Sequence, residues 1–126
     1  MMNFSFSFDK KTKILYKTYF DGITVNDITS SWLYAFEKKL IPKETKGFIV
    51  DYRSSSMNFD PEMHTEIAKF YQQNIHVFGN QKVAVLTEKP KDVVISILVK
   101  EMDRGYESKP FSTMEAAVDW ILSTVS

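Results

Sequence analysis

Three consecutive serines, Ser54-Ser55-Ser56, and then Asn58 stand in a polar segment directly after the short apolar run Gly47-Phe48-Ile49-Val50. Hydroxyls in such a loop can accept a phosphate, which adds about −1.5 to −2 charges and changes docking through local electrostatics. The plainer reading is a polar surface turn, where serine is common. Asp51 and Arg53 lie just upstream at i and i+2, so on a strand they face the same side. They form either the edge of a site or a surface ion pair worth ~0–1 kcal/mol, and the pair is the plainer of the two. His64 and His76 are twelve residues apart, away from the i, i+4 spacing of a helical metal pair, so no metal site is expected. The chain has no cysteine, which excludes disulfides, thiol nucleophiles and thiolate metal sites. With four glycines in all and no glycine-rich phosphate loop, no nucleotide fingerprint is present and no cofactor is expected. An enzyme built on Asp51, Arg53 or His64 is therefore the weakest functional reading.

A second candidate is physical rather than chemical. From Lys91 to about Met102 the sequence predicts a helix opened by Pro90, with Val93, Val94, Ile95, Ile97, Leu98, Val99 and Met102 all apolar. A helix resting on one sheet needs an apolar stripe only about 100° wide, and this arc is much wider. The surplus, centred on Val94, Ile95, Leu98, Val99 and Met102, has three uses. It lies under a neighbouring helix, lines a ligand cavity, or forms an interface. Trp32, Tyr34, Tyr71 and Trp120 can stack on a ligand, but at helical spacing such rings are more often core.

The elements that must position these residues follow from periodicity. Phe4, Phe6 and Phe8 alternate with polar residues, and Ile14–Phe20 reads as a second strand after a polar turn, giving an N-terminal β-hairpin that Asp21-Gly22 ends. Ile28, Trp32, Leu33, Phe36 and Leu40 recur at helical spacing, with Thr24 or Asn26 as cap. Gly47–Arg53 is the third strand. Asp60-Pro61 has the form of an N-cap and a first-turn proline, opening a helix with Met63, Ile67, Phe70, Tyr71 and Asn74 on one face. Lys82–Thr87 is the fourth strand and Tyr106–Phe111 a weaker fifth. Ser112-Thr113-Met114-Glu115 has the capping-box pattern before a last helix with Met114, Ala117, Val118, Ile121, Leu122 and Val125 inward. The order is ββαβαβαβα: a single α/β domain over residues 1–126, with a mixed sheet and helices mainly on one face.

Composition agrees. At 126 residues the chain is long enough for one real core. Sixteen basic residues balance sixteen acidic ones, so no nucleic-acid footprint is expected. No apolar run approaches the ~20 residues of a membrane span, and Met1–Phe8 lacks the basic and apolar regions of a signal peptide. A cytoplasmic location is the default expectation.

This order of elements resembles the STAS domain of anti-sigma-factor antagonists, in particular small stand-alone STAS-like bacterial proteins. The resemblance rests on Phe20-Asp21-Gly22-Ile23-Thr24 before the first helix, on Gly47–Arg53 as the central strand, and on Phe111–Ile121 as the closing segment with Ser112, Glu115, Ala116 and Trp120. It covers nearly the whole chain and is mostly topological. In that family the loop after the central strand carries a phosphorylated serine, which the resemblance maps onto Ser54, Ser55 and Ser56. The family's Asp-Ser-Ser/Thr-Gly pattern is absent here. The expectation is a non-enzymatic regulatory module that docks a protein partner, or a second copy of itself, through the segment Ser54–Asn58 and the third helix. The alternative is a carrier of a small apolar ligand held under that helix.

Overall fold

A computed structural model describes residues 2–123, so the expected inward position of Val125 lies outside the described residues. Strands β1 (Phe4–Asp9) and β2 (Ile14–Tyr19) form the hairpin, with Phe4 opposite Tyr19, Phe6 opposite Lys17 and Phe8 opposite Leu15. The turn between them closes with Lys13 N–H donating to the Asp9 carbonyl at 2.8 Å, Lys13 adopting a left-handed φ of 64°. From β2 onward every pairing in the main sheet is parallel. Strands β4 (Gly47–Asp51), β6 (Lys82–Leu86) and β7 (Glu107–Phe111) follow in the spatial order β1-β2-β4-β6-β7. β4 lies centrally and is buried along its whole length, as its unbroken apolar run requires.

Helices α1 (Val25–Glu37), α2 (His64–Gln73), α3 (Ile75–Phe78) and α4 (Pro90–Lys100) supply residues to the large core on one face, and α5 (Met114–Leu122) alone covers the other. The mixed sheet with helices mainly on one face is therefore what the chain adopts. Trp32 sits fully buried at the centre of the large core, edge-on to Phe6, Phe48, Tyr71 and Phe78 at 5.1–6.3 Å between ring centroids. The smaller core joins Ile14, Ile49, Ala84 and Leu86 of the sheet to Ala117 and Ile121 of α5.

Locally the structure adds to or changes three readings. The hairpin ends before Asp21-Gly22, as expected, but Asp21–Ile23 goes on to form a short strand, β3, paired in parallel with a second short strand, β5 (Ser55–Met57), in a separate two-stranded sheet. Asp60 caps and Pro61 opens the next helical segment as expected, the Asp60 side chain accepting from Glu62 N–H at 2.9 Å, but the first turn, Pro61–Met63, is 3-10 before α2 begins. The last helix is capped by Thr113, which accepts from Ala116 N–H at 3.2 Å, so the capping box read on Ser112 and Glu115 does not form. At Thr24 a full box does form: its hydroxyl accepts from Asp27 N–H, and the Asp27 carboxylate accepts from Thr24 N–H.

Candidate functional site

The segment after β4 is folded rather than loose. Asp51 receives Arg53 three times: the backbone N–H and Nε on Oδ1 at 2.9 and 3.0 Å, and a second guanidinium nitrogen on Oδ2 at 2.9 Å. This bond holds the Arg53 guanidinium above its ordinary range, and the pair joins an exposed guanidinium to a buried carboxylate. Ser54 is exposed, and its hydroxyl makes no hydrogen bond among the described residues. Ser55 is buried, donating to the Tyr52 carbonyl at 3.1 Å. Ser56 donates to the Asn58 side-chain oxygen at 3.2 Å. The Asn58 side-chain amide lies against Gly22, in the space a Cβ there would take. Of the three serine hydroxyls, only that of Ser54 is both exposed and without a hydrogen bond among the described residues.

Helix α4 is tied to this segment at its first turn. Both oxygens of the buried Asp92 carboxylate accept from Met57 N–H at 3.3 Å, and Ser96 Oγ donates to the Asp92 carbonyl at 2.8 Å. Burial raises the Asp92 carboxyl above the usual range, against the Met57 bond that lowers it. The apolar residues of α4 then separate by direction. Ile95 and Val99 are buried in the large core, and Leu98 and Met102 are half-buried. Val94 and Ile97 remain 50% and 46% exposed. Beneath α4, between Tyr52, Met57, Ile95, Ser96, Val99 and Ser108, lies a void of about 30 Å³. That is room for about one water molecule, not for a lipid-like ligand.

The most unusual polar group is one the sequence reading passed over. Lys17, on β2, is fully buried in the large core. Its Nζ donates to Ser31 Oγ at 2.5 Å and stands 3.9 Å from the Trp32 ring centroid, 4.6 Å from Tyr19 and 5.4 Å from Phe6. Ser31 passes its own proton to the Ile28 carbonyl, so its oxygen accepts from both Lys17 and Tyr19, the latter at 2.9 Å. Burial pushes the Lys17 amine well below the usual lysine range, with no carboxylate at hand to oppose it. The three ring faces offset only part of that cost. Alternation along β2 marks the position: Leu15, Lys17 and Tyr19 share the inward face. The neighbouring phenols of Tyr19 and Tyr52, stacked at 4.8 Å, are likewise pushed well up by burial.

The remaining candidates do not converge. His64 Nδ1 lies 2.8 Å from the Pro61 carbonyl, while His76 is exposed on α3. No group of three or more potential metal ligands gathers among the described residues. Trp32 and Tyr71 are core, joined by Trp32 Nε1–H donating to the Tyr71 hydroxyl at 3.2 Å, and Tyr34 and Trp120 are half-buried. No helix is long and apolar enough to cross a membrane among the described residues.

No protein-family model matches this sequence, and no curated protein does. Among solved structures, an uncharacterized protein from the DUF3478 family of Shewanella loihica PV-4, described as having a SpoIIAA-like fold, superimposes with a TM-score of 0.65 at 14% identity. The match covers 96% of this chain and 95% of that one. At that identity the likeness speaks to fold, and the fold is SpoIIAA-like.

Proposed function

We propose that this SpoIIAA-like domain is a non-catalytic, cytoplasmic interaction module that docks a protein partner on the outer face of α4 and the adjoining segment Ser54–Asn58. The observation that carries this reading is the pair Val94 and Ile97, half-exposed on a helix whose opposite side, Ile95 and Val99, is already committed to the core. Two β-branched side chains one turn apart, held in water on a rigid helix, favour an apolar counterpart. Asp92 locks that helix to Met57, so a partner on α4 also meets the β5 segment in a fixed geometry. Ser54, next to the Asp51–Arg53 pair, is where a phosphate would change the charge of that surface. The void of about 30 Å³ under α4 favours docking over carriage of a small apolar ligand there.

A second copy of the chain is the partner to test first, by light scattering after size exclusion across a concentration series. A dimer that dissociates in the Val94→Asp/Ile97→Asp double variant, with unchanged circular dichroism, supports the reading. A monomer at every concentration removes self-docking, and a dimer that persists in the double variant overturns the assignment to α4.

A further inference from the structure

A second concavity lies away from α4, at the amino-terminal ends of β4 and β6. It is an open groove of about 670 Å³, within the size range of small-molecule sites. One wall is the end of α1 and the turn that follows; the other is α3 and the residues leading into β6. The first wall is pinned. Leu40 N–H donates to the Ala35 carbonyl at 2.9 Å, and Thr45 Oγ1 donates to the Pro42 carbonyl at 2.7 Å. Gln81 Nε2 bridges the two walls by donating to the Thr45 carbonyl at 2.9 Å. The floor is apolar: Phe36, Ile41, Phe48 and Val77 line it.

The charge of the lining is one-sided. Lys39 and Lys43 line the groove, and no aspartate or glutamate contributes. Neither lysine has an ion-pair partner among the described residues, where the pairs are Arg53–Asp51 and Lys69–Glu66. Lys39 is placed by an unusual backbone, with a left-handed φ of 54° just past the end of α1. A non-glycine residue in that conformation costs free energy that an unconstrained turn avoids by using glycine or asparagine. An apolar floor beside two unpaired ammonium groups is complementary to one ligand chemistry, a hydrocarbon body ending in an anion.

We propose that this groove binds a small amphipathic carboxylate of the medium-chain fatty-acid type. The chain lies between Phe36, Ile41 and Val77, and the carboxylate meets Lys39 and Lys43. This site is independent of α4.

The test is a titration of the folded protein with sodium decanoate, read by NMR shifts of the Ile41 and Val77 methyl groups and by calorimetry. Decanol and acetate serve as controls that carry only the chain or only the charge. The expected result is saturable binding of decanoate at these methyls, weakened about tenfold in the Lys39→Gln/Lys43→Gln double variant, as the loss of two modest ion pairs predicts. Both lysines are exposed, so the variant keeps the core, and a matching wild-type spectrum verifies that. The proposal is overturned if decanoate gives no saturable shift up to millimolar concentration. It is equally overturned by equal affinity in the double variant, decanol binding as tightly as decanoate, or shifts that map to α4 instead.

Discussion

Replacing Lys17 by Met tests whether the buried amine weakens the fold at neutral pH. The side chains are alike in length and volume, so the substitution removes the amine and little else. The amine's penalty has a ceiling: a protein that cannot bear the buried charge releases the proton instead, which for an ordinary lysine at pH 7 costs about 4–5 kcal/mol. Against this stand the single hydrogen bond to Ser31, worth about 1 kcal/mol, and ring–cation attraction of about 0.5–2 kcal/mol when the amine is charged. Ser31 is not orphaned in the variant, because Tyr19 continues to bond it. The balance predicts that Lys17→Met is more stable than the wild type by about 1–3 kcal/mol at pH 7. The folded amine titrates below its unfolded value, so between those two values the unfolded chain binds the extra proton and wild-type stability rises with pH. The advantage of the variant therefore shrinks as pH rises toward 10. The buried phenols, raised above 10 in the fold, weaken both proteins alike at high pH and cancel in the difference. Urea unfolding followed by tryptophan fluorescence, at pH 7 and at about pH 9.5, measures both quantities. A variant less stable than the wild type at pH 7, or a difference that does not change with pH, would refute the reasoning.

Further outcomes follow from the local contacts. Asp92→Ala removes the acceptor for Met57 N–H and should cost about 1–3 kcal/mol in urea unfolding, with faster amide exchange at Met57; Asp92→Asn, which keeps an acceptor, should cost less. Thr24→Ala breaks the capping box of α1 and should cost about 1 kcal/mol, whereas Ser112→Ala should cost nothing measurable because Thr113 holds the cap of α5. Arg53→Ala should change stability by no more than about 1 kcal/mol, since the guanidinium is exposed and the backbone N–H of residue 53 continues to donate to the Asp51 carboxylate; a larger loss in thermal melting would mean that the pair organises β5.

What could be read from the chain was what depends on near neighbours. Alternating phenylalanines declare β1, an uninterrupted apolar run declares the central β4, and Thr24 and Asp60 declare their caps, because each signal lies within a few residues. The three-residue strands β3 and β5 could not be read, since they exist only through each other across more than thirty residues. The sorting of α4 into Ile95 and Val99 inward and Val94 and Ile97 outward depends on where α2 and β7 lie, which no helical wheel contains. The groove gathers residues from Ala35 to Gln81, and its charge is visible only once α3 faces the end of α1. Lys17 is the instructive case. The strand containing it was legible, but which of its faces points inward was not, its charge argued for the surface, and the aromatic enclosure that tolerates it comes from three other positions, one of them on α1.

The sheet order also constrains where ligands can be held. From β1 to β7 the strands are laid down in one direction without a reversal, and each parallel crossover places its helices on the same face. Open sheets that cradle nucleotides do so where the winding turns back and neighbouring connections part to opposite faces, leaving a cleft at the carboxyl ends. A sheet wound one way has no such parting. Here the small β3–β5 sheet follows the carboxyl ends of β2 and β4, and α5 packs on the other face of the main sheet. Both sites proposed above therefore lie outside any such cleft, one on the surface of α4 and the other in a furrow between chain turns.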